Sequence, residues 1–138
     1  MTKTRGVKTR NGGQWTQARF NSFIKSALRG ASRKWGPIHK CLKDARVGRG
    51  VYLCASCKEE VSLTAVVNGK RCKNVILDHI EPIVPVTGWE GWDSCVERMF
   101  CELDGLQALC KPCHDTKSKE EAAARAFHRA EKKNASKD

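Results

Sequence analysis

Two pairs of cysteines constrain the fold of this chain more than any other feature. Each pair has the spacing Cys-x2-Cys, at Cys54 and Cys57 and again at Cys110 and Cys113, and the 52 residues 58–109 separate the pairs. Four thiolates at this spacing are typical of a tetrahedral zinc site. Such an ion would be structural, and in zinc-finger peptides it contributes about 10–16 kcal/mol of apparent folding free energy. A redox dithiol is the alternative for either pair alone.

Four further cysteines have no such partner spacing: Cys41, Cys72, Cys95 and Cys101. We expect them to pack as small hydrophobic side chains. Thiols that bind metal or pack in a core are typical of a reducing compartment. The N-terminus is basic and polar, and no apolar run approaches the roughly 18–20 residues of a membrane span. We therefore expect a cytoplasmic protein that does not bind membranes.

The positive charge of the chain is concentrated near its N-terminus. Residues 1–50 hold 13 Lys or Arg and one acidic residue, a net charge of +12, whereas residues 51–138 hold 13 basic and 14 acidic residues, a net charge of −1. A basic segment binds phosphates by releasing counterions, although a merely solvated arm is the alternative. We predict a largely helical DNA-binding arm at 1–50, with a disordered tail at 1–13, and a zinc-containing domain at 51–138.

Periodicity and turn residues predict a mixed α+β fold. Apolar residues from Trp15 to Leu28 recur every three or four positions, which indicates an amphipathic helix. The polar, Ala-rich segment 111–132 predicts a long helix with Pro112 in its first turn. The other predicted elements are a helix at 38–46, extended segments at 61–67 and 74–78 with a turn at Asn68-Gly69, a helix opened by a capping box at Ser94 and ending at Phe100, and a strand at 103–109.

Two histidines lie at predicted element boundaries. Asp78-His79 ends a predicted strand, and His114 follows Cys113 at the start of the long helix. A carboxylate oxygen and an imidazole nitrogen with open positions beside them suit Mg²⁺ or Mn²⁺. His79 could then accept a proton from an attacking water, because imidazole titrates near neutral pH. The alternative for each histidine is a packed or solvated side chain.

Three segments of the chain form one combined pattern. They are the first cysteine pair, the segment Leu-Asp-His-Ile-Glu-Pro at 77–82, and the segment Leu-Gln-Ala-Leu-Cys-Lys-Pro-Cys-His-Asp-Thr-Lys at 106–117. Together they resemble the HNH, or ββα-metal, nucleases, particularly the small phage and bacterial members with a four-cysteine zinc site. The resemblance covers about residues 51–120. It implies an α+β fold with a ββα-metal core and a structural zinc, preceded by the basic helical segment and followed by a long helix.

The resemblance also implies the roles of the site residues. Asp78 and His114 would hold one catalytic Mg²⁺ or Mn²⁺, and His79 would be the general base that activates water against a DNA phosphodiester. The four paired cysteines would hold the structural zinc. Lys117 matches a basic position of the family and is expected to contact the DNA backbone. The other predicted DNA-binding residues lie in the arm: Arg19, Lys25, Arg29, Arg33 and Lys34.

The function implied is that of a phage-encoded, metal-dependent HNH DNA endonuclease, either of the homing type or associated with phage DNA packaging. Its partners would be double-stranded DNA and phage packaging or processing proteins. It would act as a monomer in the cytoplasm of a bacterial host. The alternative is a catalytically weak or inactive zinc-containing module that binds nucleic acid.

One position departs from the family pattern and favours that alternative. Where the pattern has Asn before Leu-Gln, this chain has Gly105, preceded by Asp104. In the family this Asn hydrogen-bonds across its loop and holds the base histidine. Asp104 or a water could take over that role, the chain could be a natural low-activity variant, or Asn could have been replaced to silence cleavage. We expect Gly105→Asn to keep or raise metal-dependent cleavage.

Overall fold

The computed structural model describes residues 6–135, and the chain divides into two compact units, Met1–Lys34 and Trp35–Asp138. Over the described residues the structure is α+β, with four α-helices and nine short strands in small antiparallel sheets. The division comes before the predicted boundary at residue 50. The reason is that the helix at Gly36–Ala45 contacts the strand at Leu106–Cys110 and so belongs to the second unit.

A short β-hairpin opens the first unit. Strand β1, Lys8–Arg10, pairs antiparallel with β2, Trp15–Thr16. The intervening residues Asn11, Gly12 and Gly13 all have positive φ angles, which is the backbone region that glycine and asparagine adopt most readily. The prediction of a disordered tail at 1–13 is therefore wrong for Lys8–Arg10, which form β1. Residues 1–5 of the predicted tail lie outside the described part of the chain.

The predicted N-terminal amphipathic helix is confirmed as α1, Gln17–Ser32. Thr16 caps the helix, since its Oγ1 accepts a hydrogen bond from the backbone N–H of Arg19 at 3.2 Å. The rings of Trp15 and Phe23 lie 5.1 Å apart at the start of the apolar stripe. No residue of α1 is buried, so the stripe forms a partly exposed face.

The second unit contains most of the regular structure. In chain order its elements are α2 (Gly36–Ala45), β3 (Arg46–Gly48), β4 (Val51–Leu53), β5 (Glu60–Ser62), β6 (Thr64–Val67), β7 (Lys70–Lys73), β8 (Val75–His79), α3 (Trp92–Met99), a 3-10 turn (Leu103–Gly105), β9 (Leu106–Cys110) and α4 (Lys111–Ala135). Strands β3, β4 and β5 form one sheet, and β6 with β7 and β8 with β9 form two separate pairs.

Strands β8 and β9 and helix α4 position the candidate site. The two strands are antiparallel, with Val75 opposite Cys110 and Asp78 opposite Gln107, and α4 follows β9 without a loop. The extended segment predicted at 74–78, the strand predicted at 103–109 and the predicted long helix are confirmed as β8, β9 and α4. The strand begins at Leu106 and not at 103, because residues 103–105 form the 3-10 turn that leads into it.

The turn predicted at Asn68-Gly69 is confirmed, but the strand that pairs across it is 70–73 and not the predicted segment 74–78, which pairs with β9. Both turn residues have positive φ angles, 52° and 76°, as a two-residue hairpin turn of the type favoured by Asn-Gly requires. The register of β6 and β7 is regular, from Thr64 opposite Lys73 to Val67 opposite Lys70. Residues 70–73, which belong to no predicted element, form the whole of β7.

The capping box predicted at Ser94 is wrong. Helix α3 begins two residues earlier, at Trp92, after Gly91 with a φ of 103°. The Ser94 Oγ donates to the Glu90 carboxylate at 3.3 Å instead of capping a helix N-terminus. Because the chain before Trp92 turns at a glycine with positive φ, the helix starts there and not at the best side-chain cap.

The buried core of the second unit is small and includes several cysteines. Cys54, Leu109 and Cys110 form its central cluster, with Cys113 packed at its edge. Among the four cysteines predicted to pack, Cys41 and Cys95 are buried, whereas Cys72 and Cys101 are half-buried. Within residues 6–135, no helix combines the length and the apolar character that crossing a membrane requires.

Candidate metal centre and the adjacent Asp–His cluster

The two cysteine pairs meet at one point of the second unit. The Sγ atoms of Cys54, Cys57, Cys110 and Cys113 all lie within 4.8 Å of one another, and those of Cys57 and Cys110 are 3.9 Å apart. A tetrahedral zinc with Zn–S bonds of about 2.3 Å separates its sulfurs by about 3.8 Å. The four thiols therefore have the chemistry and the spacing to hold a metal ion such as zinc.

Backbone contacts hold this four-cysteine cluster together. The first pair lies in a turn after β4, in which the N–H of Lys58 donates to the Cys54 carbonyl at 3.0 Å. The N–H of Ala55 donates to the Ala108 carbonyl of β9 at 2.9 Å, which fastens the turn to the strand that ends in Cys110. The cluster thus joins the start of the domain to the strand and helix that carry the other site residues.

The protein environment shifts the pKa values of Cys54 and Cys110 in opposite directions. Burial raises the pKa of Cys54, but backbone N–H groups of Cys110, Cys57 and Ser56 oppose that effect and bring the pKa down to about 6. The N–H of Cys110 donates to the Cys54 Sγ at 3.3 Å. Burial raises the pKa of Cys110 to about 12. The backbone N–H groups thus favour the thiolate form of Cys54, and an entering metal would displace protons from other thiols.

Asp78 and His114 are brought together, as their predicted roles require. Asp78 is on β8, and His114 is in the first turn of α4, immediately after the last cysteine. The His114 Nε2 lies 3.9 Å from the Asp78 Oδ1. The other carboxylate oxygen of Asp78 accepts a hydrogen bond from the Gln107 Nε2 at 2.9 Å. The strand register that places Gln107 opposite Asp78 therefore orients the carboxylate.

Lys117 also contacts Asp78, from one turn further along α4. Its Nζ lies 3.0 Å from the Asp78 Oδ2 and donates to the His79 carbonyl at 3.0 Å and to the Glu121 carboxylate. Burial lowers the pKa of Lys117, but the hydrogen bonds to Glu121 and Asp78 outweigh it and raise that pKa. Lys117, predicted as a phosphate contact, is thus held between two carboxylates.

The ring of His79 is held by a backbone group. Its Nε2 lies 2.9 Å from the carbonyl oxygen of Met99, at the end of α3. A carbonyl can only accept, so Nε2 carries the proton and donates, and the lone pair of the neutral ring lies on Nδ1. The orientation of His79 therefore depends on α3, an element that the sequence did not connect with the histidine.

Gly105 lies against Cys101, and this contact adds a steric condition to the substitution Gly105→Asn, whose effect on cleavage stays a prediction. A Cβ at position 105 would lie 2.9 Å from the Cys101 Sγ and 3.2 Å from the Cys101 Cβ. The carbonyl of Gly105 accepts from the N–H of Ile80 at 2.9 Å, next to the end of β8. A side chain at 105 therefore overlaps Cys101 unless that residue moves or is replaced.

The other predicted DNA-binding residues lie in the first unit. Arg19, Lys25 and Arg29 are on α1, and Arg33 and Lys34 follow it. All are exposed except Lys25, which is half-buried, and the guanidinium of Arg19 lies 4.8 Å from the ring centroid of Trp15. The structure thus presents four of the five to solvent, and their contact with DNA stays a prediction.

Sequence reasoning gave Gln107 no role and did not consider Glu121. The spacing of Lys117 and Glu121 on one helix, four residues apart, is a signal that could have found Glu121. Among residues 6–135, the four-cysteine cluster is the one group of three or more His, Cys, Asp or Glu side chains with metal-binding geometry. No family model, curated protein or solved structure matches the chain.

Proposed function

We propose that the chain is a metal-dependent HNH-type DNA endonuclease with a structural zinc. The observation that carries the proposal is the meeting of Asp78 and His114, 3.9 Å apart, where an antiparallel strand pair runs directly into a helix. A four-cysteine cluster connects the same strand and helix to the turn after β4. Two paired strands followed directly by a helix support the proposal, because a ββα-metal core has its elements in that order.

In this proposal Asp78 and His114 hold the catalytic ion. A carboxylate oxygen and an imidazole nitrogen suit Mg²⁺ or Mn²⁺, and both atoms are within reach of one ion because such ions lie about 2 Å from their ligands. A bound ion would neutralise charge on the phosphate and stabilise the leaving oxygen. Gln107 keeps the Asp78 carboxylate oriented for this task.

His79 acts as the general base in the same proposal. Because its Nε2–H donates to the Met99 carbonyl, its Nδ1 is available to accept a proton from water. The water oxygen forms a bond to phosphorus as the water proton passes to Nδ1. The bond from phosphorus to the 3′ oxygen breaks, its electron pair stays on that oxygen, and the oxygen takes a proton from solvent. The hydrogen bond to Met99 also stabilises the imidazolium that results.

A second candidate is a zinc-containing module that binds nucleic acid without cutting it. The ion pair between Lys117 and Asp78 favours it, because an ammonium 3.0 Å from the carboxylate already compensates its charge. Gly105 favours it as well, since a glycine has no side chain to support the base histidine. Both candidates need the four-cysteine cluster, and they differ in whether His79 matters for activity.

The decisive experiment is cleavage of supercoiled plasmid DNA with Mg²⁺ or Mn²⁺ by the wild-type chain and by His79→Ala. Loss of a general base lowers the rate by about 10²–10⁴-fold. His128→Ala is the matched control, because His128 lies far along α4 and contacts Glu131. We expect the control to cut at the wild-type rate and all three proteins to contain equal zinc.

Two results would move the conclusion to the binding module. The first is absence of cleavage by the wild-type chain with either ion. The second is equal cleavage by wild type and His79→Ala, which would indicate a contaminating nuclease. Appearance of the open circle before the linear form would show that the enzyme nicks one strand at a time.

A further inference from the structure

The hairpin of β6 and β7 carries a cluster of basic residues, although residues 51–138 as a whole have no net positive charge. Strand β7 is Lys-Arg-Cys-Lys, and Lys70, Arg71 and Lys73 are all exposed. Residues 61–77 contain no Asp or Glu. The hairpin therefore carries three positive charges and no negative one.

Several basic residues elsewhere in the second unit are compensated by carboxylates, whereas these three are not paired with any among residues 6–135. Elsewhere in the second unit, Lys40, Arg98, Lys111, Lys117 and Arg125 each lie within 4.0 Å of a carboxylate. Within the described part of the chain, the side chains of Lys70, Arg71 and Lys73 have no hydrogen-bond or ion-pair partner. Their charge is thus available to a partner outside the chain.

The exposed apolar residues of the hairpin lie beside these charges. Val66 is opposite Arg71 and Val67 is opposite Lys70, and the two valines are 69% and 50% exposed. Side chains alternate between the faces of a strand, so Val66, Arg71 and Lys73 share one face. A two-stranded ribbon of this kind fits the major groove of B-DNA, where valine can contact thymine methyl groups.

We propose that the β6–β7 hairpin is a second DNA-binding surface, which contacts phosphates of the duplex bound at the Asp–His cluster. The inference rests on the proposed function for its choice of DNA. It adds a DNA contact within the second unit to the one predicted for the basic arm. Charge complementarity selects the partner, because three cations on one ribbon, with no partner in the described part of the chain, suit a polyanion.

The base of the hairpin is tied to the site. The N–H and side-chain amide of Asn74 donate to the carbonyls of Leu63 and Ser62, at 2.9 and 3.2 Å. The Asn74 carbonyl accepts from the N–H of Lys111, the first residue of α4, at 2.9 Å. The hairpin therefore has a fixed connection to the helix that carries His114.

The hairpin is close enough to Asp78 for both to contact one bound duplex. Lys73 and Asp78 are five residues apart, which spans at most about 17 Å of extended chain. The four residues of β7 add at most about 13 Å. All three charges thus lie within about 30 Å of Asp78, which is less than the roughly 34 Å of one turn of B-DNA.

The test is the salt dependence of DNA binding by a triple variant, Lys70→Gln, Arg71→Gln and Lys73→Gln. Fluorescence anisotropy would measure the dissociation constant for a 30-base-pair duplex between about 50 and 200 mM salt. The buffer would contain no Mg²⁺ or Mn²⁺, so cleavage plays no part. Each lost phosphate contact lowers the slope of log K against log salt by about 0.9, so we expect a decrease of 2–3.

A charge-matched control separates the hairpin from net charge. The control variant carries Lys43→Gln, Arg129→Gln and Lys133→Gln, three basic residues on α2 and α4. We expect its slope to fall by less than about 1. Zinc content and circular dichroism would establish that both variants are folded, and if the triple variant does not fold, Arg71→Gln alone should lower the slope by about 0.9.

Each outcome decides the inference. A larger loss of slope in the hairpin variant than in the control supports it. Equal losses, or no loss in the hairpin variant, overturn it and would leave the ribbon as a surface for another kind of partner. Because binding is measured without a catalytic ion, the hairpin can be established even if the wild-type chain cuts no plasmid, and it can fail even if the chain is a nuclease.

Discussion

Replacement of Gly105 by Asn tests whether the side chain that the family pattern has at this position fits into the structure. By the HNH resemblance an Asn here would support His79, but the structure puts a Cβ at this position 2.9 Å from the Cys101 Sγ. The single substitution and its combination with Cys101→Ala should therefore behave differently. We expect Gly105→Asn alone to lower the free energy of unfolding, and the double variant to recover part of the loss.

The size of the effect follows from the two contacts. Overpacking a core costs about 1–3 kcal/mol. The Cys101 Sγ can rotate away, but its Cβ stays 3.2 Å from the new atom, which leaves a smaller overlap. Replacing glycine also stabilises by about 0.4–1 kcal/mol through the unfolded state. The net loss is about 1 kcal/mol, which lowers the Tm by about 4 °C.

The assay is thermal unfolding of wild type, both single variants and the double variant at equal zinc concentration. A double-mutant cycle gives the coupling between positions 101 and 105, which we expect to be about 1 kcal/mol in favour of the double variant. Plasmid cleavage by the folded double variant should equal or exceed that of wild type, since Cys101→Ala makes room for the Asn side chain.

Two results would refute this reasoning. Additive free energies in the cycle would show that Cys101 and residue 105 do not compete for space. A single variant Gly105→Asn as stable as wild type would show the same. Separately, a folded double variant that cuts more slowly than wild type would contradict the view that Asn supports the base histidine.

Two other predictions concern the metal centre and the domain boundary. Cys54→Ser should abolish stoichiometric zinc binding and cooperative unfolding, because the Cys54 thiolate is central to the cluster. The control Cys72→Ser, on the hairpin, should change neither. Elemental analysis measures the zinc content, and circular dichroism measures the unfolding. A chain lacking residues 1–34 should keep the melting temperature of the second unit. A chain lacking residues 1–50 also loses Trp35 and α2, so its melting temperature should be at least about 4 °C lower. Equal melting temperatures of the two truncated chains would contradict that boundary.

Several elements could be predicted because their signals are local. The turn at Asn68-Gly69 was predicted because its backbone angles follow from those two residues, although the strand at 70–73 that pairs across it was not. The Ala-rich segment predicted α4 through helix propensity. Where prediction failed, a contact or glycine outside the local pattern decided the result: Gly91 set the start of α3, and two glycines after Asn11 allowed β1 to pair.

The candidate site was predicted in part for the same reason. Asp78 and His114 carry a recognisable residue pattern, and the register of β8 with β9 brings them within 3.9 Å. The contact of Lys117 with Asp78 depends on the pitch of α4 relative to β8, which residue spacing alone does not give. The donation of His79 to Met99 joins residues that are twenty positions apart on different elements.

The sequence alone establishes which ligand atoms the chain offers a metal ion, because four cysteines in two Cys-x2-Cys pairs are typical zinc ligands. It also determined where positive charge is concentrated along the chain. Which charges are compensated depends on the tertiary structure, since Lys117 lies against two carboxylates, whereas Lys70, Arg71 and Lys73 lie against none among residues 6–135. The physical reason is that an ion pair requires two side chains within about 4 Å, a distance set by packing and strand register and not by position in the sequence.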